Sequence, residues 1–183
     1  MCFYELSKEE RIKLVDEMNA NILSELRTKK DNGIQAYFSD EDTYIRKTAY
    51  LTVGKLFHAK EKLQAAILKL LEKLYKSTNE KIRQTVINAA GEIGIKNFIS
   101  VESFMEQGLF DAHHSVRNAV IGSIKKMSEK NPKPVLSFSK KYLTHPDKEI
   151  RREICHGIEL RGRKYSQDIL PLLKELQYDK PSV

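Results

Sequence analysis

The sequence predicts an all-α protein built as a solenoid of helical repeats, and three observations support this prediction. The chain of 183 residues is 40% hydrophobic and 31% charged, with only 8 glycines and 5 prolines. This composition suits a folded helical protein better than a disordered chain or a β-sandwich. A β-branched residue followed by arginine recurs every 34 to 37 residues. After each such pair, apolar residues follow at the spacing of one face of an α-helix.

The recurring pair is predicted to stand near the start of the second helix in each of four repeats. Its copies are Ile45-Arg46, Ile82-Arg83, Val116-Arg117 and Ile150-Arg151. Each copy follows a short polar, turn-like segment with Asp, Asn, Ser or Thr, which are preferred at helix N-caps. Positions 4, 8 and 11 residues after the β-branched residue are apolar in every copy except at Arg161. One repeat cannot bury this stripe alone, so we expect the repeats to stack.

The N-terminal part of the chain is predicted to start the stack with one extra helix. Ser7–Leu26 has apolar residues at helical spacing and opens with Ser7 and Glu10 in the arrangement of a capping box. Asp31-Asn32-Gly33 then breaks the chain before the short segment Ile34–Phe38.

Each later turn is preceded by a first helix of its repeat. Pro132, Pro134 and Pro171 stand at or near the starts of these helices, where a missing N–H costs little. The predicted first helices are Glu61–Lys76, Val101–Phe110, Pro134–Thr144 and Asp168–Tyr178. We assign a single domain to residues 1–183, with repeats at about 22–59, 60–96, 97–130 and 131–165 and a partial repeat at 166–183.

The last residues look like the turn of a fifth repeat, because Val183 stands 33 residues after Ile150. A solenoid normally ends in a polar capping repeat. We therefore expect the sequence to be part of a longer protein. The last helix would otherwise expose an apolar edge of Leu172, Leu173 and Leu176, and such an edge favours a dimer.

The motif Asp-(x)4-Val/Ile-Arg, seen in Asp40–Arg46 and Asp111–Arg117, resembles the HEAT repeat, and His145–Arg152 is similar to the turn of that family. The resemblance extends over roughly residues 33–183. It implies a right-handed α-solenoid whose second helices line the concave side.

Ile150–Tyr165 is further similar to HEAT-like proteins of the DNA alkylation repair group. Members of that group bind duplex DNA on a basic concave surface, and some are alkylpurine glycosylases with Trp side chains around the damaged nucleotide. This chain contains no Trp. The similarity therefore implies a relative of these proteins and does not support glycosylase activity.

The resemblance also implies that the recurring arginines bond to acidic turn residues and form a ladder along the solenoid. Ligand binding by these arginines is the alternative. The second turn offers only Ser77 and Asn79 in place of an acid, so we expect its rung to be weaker. The predicted ladder residues are Asp40, Arg46, Arg83, Asp111, Arg117, Asp147 and Arg151.

A net charge of +7 favours a polyanionic partner, and the concave side is the predicted place for it. The run Arg161–Lys164 is either a solvated helix end with Gly162 as an αL cap or part of a phosphate-binding cluster. Gly91 and Gly122 on the same side either admit a partner closely or serve helix packing. The predicted nucleic-acid-binding residues are Lys47, Lys125, Arg152, His156, Arg161, Arg163 and Lys164.

The sequence contains no pattern typical of catalysis or metal binding. His113-His114 lacks further ligands at metal spacing, and Cys155 lacks a base with an orienting acid. We expect no metal and no cofactor, and the residues point away from an enzyme. The longest apolar runs are four or five residues, too short for a membrane span. Two cysteines, Cys2 and Cys155, indicate a cytoplasmic setting.

Three functions remain open. The first is a nucleic-acid-binding module that uses the basic concave groove. The second is a protein-interaction scaffold for an acidic or extended partner. The third is a DNA alkylation repair enzyme, which the missing Trp disfavours.

Overall fold

The computed structural model describes residues 3–174, and this part of the chain is α-helical with short turns and no strand. The prediction of an all-α helical-repeat fold is confirmed. No helix within these residues has both the length and the apolarity needed to cross a bilayer. The helices are α1 Lys8–Thr28, α2 Asn32–Ser39, α3 Thr43–Ala59, α4 Gln64–Tyr75, α5 Glu80–Gly94, α6 Glu102–Leu109, α7 His114–Lys130, α8 Pro132–Leu143, α9 Lys148–Lys164 and α10 Ser166–Leu173.

The contacts divide the chain into two compact units, Met1–Ile93 and Gly94–Val183, which we call the N-terminal and C-terminal units. In the N-terminal unit, α3 packs on α1, α2 and α4. In the C-terminal unit, α9 packs on α7, α8 and α10, and α7 packs on α6 and α8. Each unit is thus built from helical hairpins. The assignment of one domain and its repeat boundaries stays a prediction.

Short polar side chains begin the helices, as their sequence positions predict. Ser7 and Glu10 form the capping box of α1, with the Glu10 N–H donating to Ser7 Oγ and the Ser7 N–H to Glu10 Oε2. Asp42 and Asp147 cap α3 and α9 by accepting the amide N–H two residues later. His113 takes this role in α7, because its Nδ1 accepts the N–H of Ser115. At the start of α5, Asn79 Oδ1 accepts the N–H of Lys81 at 2.8 Å. All four second helices therefore start in the same way.

The apolar stripe of the second helices is buried in both units. Ile93 and Ile124 are fully buried, as their equivalent stripe positions predict. The stripe of the first repeat differs eleven residues after Ile45. Leu56 at that position is only half-buried, and its neighbour Phe57 lies in the core instead. The stripe members with at most 9% exposure are Ile45, Ala49, Val53, Ile82, Val86, Ala90, Ile93, Val116, Val120, Ile124, Met127, Ile150, Ile154 and Ile158.

Three local predictions are wrong. Asn32 and Gly33 belong to α2, because the Glu25 carboxylate accepts the N–H groups of Gly33 and Ile34 and caps the helix earlier than expected. Gly162 is not an αL cap: it lies inside α9, and Lys29 is the residue with positive φ within 3–174. Pro171 stands inside α10 rather than near its start.

The predicted end of the chain is described only in part. The predicted helix Asp168–Tyr178 begins at Ser166 and can be followed as far as Leu173. Leu172 is nearly buried, whereas Leu170 and Leu173 are exposed. Leu176 and the predicted turn before Val183 lie outside the described residues.

Truncation of the buried stripe should cost more stability than truncation of an exposed residue of the same type. Ile124 is fully buried, and its side chain contacts Gly157 on α9 so closely that a Cβ there would come within 2.8 Å of it. We expect Ile124→Ala to lower the free energy of unfolding by about 2–5 kcal/mol. Ile99 is 82% exposed, so Ile99→Ala should leave it nearly unchanged. Urea denaturation measures the free energy of unfolding of both variants, and equal decreases would contradict the burial of Ile124.

Candidate nucleic-acid interface

Each recurring arginine ties a turn to the helix that follows it. Its Nη1 group donates to the backbone carbonyl oxygens six and five residues earlier, with the same pair of acceptors in all four turns. Arg83 bonds to the carbonyls of Ser77 and Thr78 at 2.9 and 3.1 Å, and Arg151 makes the matching bonds at 2.7 and 3.1 Å. These bonds need no acidic residue. The second turn therefore keeps them although it has Ser77 and Asn79 in place of an acid.

The acidic turn residues hold backbone amides of their own turns. Asp40 Oδ1 accepts the N–H of Asp42 at 2.7 Å, and Asp111 Oδ1 accepts that of His113 at 2.9 Å. Asp147 does the same for Glu149. These contacts favour a structural role for the turns. A ladder bond from an arginine to the acid of a neighbouring turn stays a prediction.

Arg117 makes one further contact, with the next second helix of the C-terminal unit. Its Nε donates to Glu153 Oε1 at 3.1 Å, so that α7 and α9 are joined by an ion pair. Glu153 is 6% exposed, and its Oε2 has no hydrogen-bond partner among the described residues. Burial raises the pKa of the Glu153 carboxyl, and Arg117 opposes the shift. Glu153 is not among the predicted site residues, although a carboxylate directly beside the apolar stripe is a usable signal in the sequence.

Five of the predicted phosphate-binding residues lie on the exposed sides of α7 and α9. Together with three glutamates they form a surface that we call the α7/α9 face. Glu159 lies between three basic side chains: its carboxylate is 4.0 Å from Lys125 Nζ, 3.8 Å from His156 Nδ1 and 2.5 Å from Arg163 Nη2. The residues of the α7/α9 face are Lys125, Glu129, Glu149, Arg152, His156, Glu159, Arg163 and Lys164.

The remaining cations of the α7/α9 face also have carboxylate partners. Lys164 pairs with Glu129, and Arg152 pairs with Glu149. Arg163 lowers the pKa of Glu159, and Lys164 lowers that of Glu129. Four Lys and Arg side chains nevertheless share three carboxylates, so the face keeps a positive excess even while His156 is neutral. Because these pairs are largely exposed, they contribute little to stability and can exchange partners.

Arg161 and Lys47 lie outside this face. The Arg161 side chain is 12% exposed, its Nε donates to Asp168 Oδ2 at 2.8 Å, and its guanidinium lies 3.8 Å from the centre of the Tyr165 ring. Arg161 therefore joins α9 to α10 and is already neutralised. Lys47 is exposed on α3 in the N-terminal unit.

The glycines of the predicted concave side have different roles. A Cβ on Gly54 would lie 2.4 Å from the Cβ of Glu92, so Gly54 allows α3 and α5 to pack closely. Gly91 is buried as well. Gly122 is exposed, and no atom of another helix lies within 4 Å of its Cβ position. Gly54 therefore serves helix packing, and Gly122 leaves open space beside Lys125.

Of the two adjacent histidines, His113 caps α7 and His114 is the first residue of that helix. His113 and His114 stack with their ring centres 4.7 Å apart, and the His113 ring is bonded to Ser115. Within residues 3–174, no group of three or more His, Cys, Asp or Glu side chains is arranged to hold a metal ion.

A match to a family model supports the helical-repeat assignment. A family model described as Cnd1, non-SMC mitotic condensation complex subunit 1, matches residues 20–101. This is less than half of the chain, and it supports a HEAT-like helical repeat family. No curated protein matches the chain significantly. The crystal structure of an engineered protein is similar with 12% sequence identity and a TM-score of 0.41, covering 96% of this chain and 86% of that one.

The hydrogen bonds of the recurring arginines predict that two neighbouring residues, Arg46 and Lys47, contribute differently to stability. Arg46 donates to the carbonyls of Asp40 and Glu41 and to Thr43 Oγ1, whereas Lys47 is exposed. We expect Arg46→Ala to lower the free energy of unfolding by about 1–3 kcal/mol, because several hydrogen bonds of a charged donor are lost. Lys47→Ala removes the same charge and should change it little. Thermal or urea denaturation that finds both variants equally stable would argue against this role.

The raised pKa of Glu153 predicts how stability depends on pH. Between the ordinary value of 4.5 and the raised one, the folded state holds a proton that the unfolded state has released. The contribution of Glu153 to the free energy of unfolding is therefore present at low pH and lost as pH rises through this window. We expect Glu153→Gln to lose this dependence. Urea denaturation from pH 4 to 7 should therefore show a changing difference between the parent and this variant, and a constant difference would contradict the prediction.

Proposed function

We propose that the protein is a binding module whose α7/α9 face binds the phosphate backbone of nucleic acid. The helical-repeat fold and the family-model match support the general function, a scaffold or binding module without enzyme activity. The observation behind the specific proposal is the excess of Lys and Arg over carboxylates around Glu159. Phosphate oxygens are suitable replacements for those carboxylates, because guanidinium and ammonium groups bond to both kinds of anion.

The chemistry of the face favours backbone contacts over base recognition. Arg163 and Lys164 end a helix and are largely exposed, at 71% and 60% of their side-chain surface. Such residues position a duplex without reading its sequence. The similarity of Ile150–Tyr165 to the DNA alkylation repair group supports duplex DNA as the first nucleic acid to test, without its glycosylase chemistry.

A salt titration tests this proposal. With a labelled 20-base-pair duplex in fluorescence anisotropy, the logarithm of the binding constant should fall linearly with the logarithm of salt concentration. Arg152→Ala, Arg163→Ala and Lys164→Ala should each weaken binding equally on unrelated sequences and reduce the salt slope by about one unit. The measurement is made from 50 to 200 mM salt.

The matched control removes an equal charge from another helix of the same unit. Lys133 is exposed on α8, so Lys133→Ala leaves the α7/α9 face intact and should keep both the affinity and the slope. If Lys133→Ala weakens binding as much as the three face variants, or if no duplex binds at 50 mM salt, the nucleic-acid proposal is rejected.

A further inference from the structure

A second basic surface lies in the N-terminal unit, where no binding residue except Lys47 was predicted. The end of α1 and the exposed side of α4 line an open groove with a volume of about 780 Å³. Its floor is apolar and includes Leu26, Ala65, Ala66 and Leu70. Six lysines surround this floor, and we call the whole surface the lysine groove. Its lysines are Lys29, Lys30, Lys62, Lys69, Lys73 and Lys76.

Four of these lysines lie on α4 or directly beside its ends. Lys69 and Lys73 are four residues apart on one side of α4, Lys62 lies in the short 3-10 turn before the helix, and Lys76 is its C-cap. Lys29 lies on the other side of the groove, at the end of α1, and has a left-handed backbone conformation with φ 56°. Its N–H and that of Lys30 both donate to the Glu25 carbonyl oxygen. This tight turn at the end of α1 brings two more lysines to the groove.

Three acidic residues line the groove. Glu25 and Asp31 are used within the fold, whereas Glu72 is exposed on α4. Both oxygens of the Glu25 carboxylate accept N–H groups at the start of α2, each at 2.9 Å. Asp31 pairs with Lys73 and also accepts from Gln35. The other five lysines are exposed, and none of them forms an ion pair within 4 Å in the described part of the chain. This differs from the α7/α9 face, where each cation has a carboxylate partner.

Helix-end stabilisation accounts for only some of these lysines. A cation near a helix C-terminus interacts favourably with the helix dipole, which explains Lys73 and Lys76 on α4 and Lys29 after α1. Lys62 precedes the N-terminus of α4, where a cation is unfavourable, and Lys69 lies in the middle of the helix. The charge of the groove is therefore not explained by the stability of its helices.

We infer that the lysine groove binds an acidic, amphipathic segment of a partner protein. Carboxylates of the segment would pair with the lysines, while apolar side chains would cover Leu26 and Leu70. Nucleic acid fits this surface less well, because the lining has no aromatic residue for base stacking and no arginine for bidentate phosphate contacts. A phosphate backbone would also leave the apolar floor in water. This inference does not depend on the proposed function, which concerns the other unit.

Four labelled synthetic probes of equal charge distinguish the chemistry of the partner. Two are 15-residue Glu/Leu peptides, one with leucines at helical spacing and one with alternating leucines. The third is a glutamate peptide of the same length with serine in place of leucine, and the fourth is single-stranded DNA. In fluorescence anisotropy at 150 mM salt, we expect at least one Glu/Leu peptide to bind tenfold or more tightly than either of the others.

Matched charge reversals locate the binding site. Lys62→Glu combined with Lys69→Glu should weaken peptide binding at least tenfold. Lys8→Glu combined with Lys55→Glu changes two exposed lysines of the same unit outside the groove and should alter binding less than twofold. Leu70→Ser should weaken the Glu/Leu peptide severalfold but not the glutamate–serine peptide. Circular dichroism melting confirms that each variant is folded, and Lys69→Gln with Lys62→Gln provides a milder pair should the glutamates disturb α4.

Several outcomes would overturn this inference. If the serine peptide binds as well as the leucine peptides, the apolar floor has no role. If DNA binds most tightly and the Lys62/Lys69 variant loses it, the groove is a nucleic-acid site instead. If no Glu/Leu peptide binds at 100 μM, or if the Lys8/Lys55 control loses as much affinity, the groove does not recognise an acidic amphipathic segment.

Discussion

A helical hairpin cannot bury the apolar stripe of its second helix alone, and this constraint determines the organisation of the protein. The stripe residues of α7 are buried because α9 packs on one side and α6 and α8 pack on others. Packing is close enough that Gly157 is needed opposite Ile124 and Gly54 opposite Glu92. The regular repeat length follows from this constraint, because the apolar residues of one helix must pack against the equivalent residues of the next helix.

The turns keep this register through backbone acceptors rather than through particular side chains. Each recurring arginine reaches two carbonyl oxygens of its own turn, and these are present whatever residues form the turn. Asp40, Asp111 and Asp147 each accept an amide N–H two residues later. His113 does the same at the start of α7. The turn geometry is therefore retained while its composition varies from Ser77-Thr78-Asn79 to His145-Pro146-Asp147.

With the stripes buried, the outer sides of the helices carry the charges available to a partner, and the two units present them differently. On the α7/α9 face, cations and carboxylates alternate, so an anionic partner must displace glutamates such as Glu159. In the lysine groove, Glu25 and Asp31 are occupied by the fold, and five lysines surround an apolar floor without carboxylate partners among the described residues. The first arrangement suits an exchangeable, salt-sensitive contact, whereas the second suits a ligand with both acidic and apolar groups.

The sequence by itself determined the helices, their order and the buried stripe, because these depend on local spacing that the chain repeats four times. It also placed the capping box of α1 and all five basic residues of the α7/α9 face. Only the tertiary structure decided that Arg161 is neutralised by Asp168, that Glu153 is buried against Arg117, and that Lys29 and Lys30 stand opposite α4. The physical reason is that an ion pair or a groove depends on distances between side chains on different helices, which local spacing does not determine. A periodic pattern specifies which side of a helix is buried, but not which charge lies across from it.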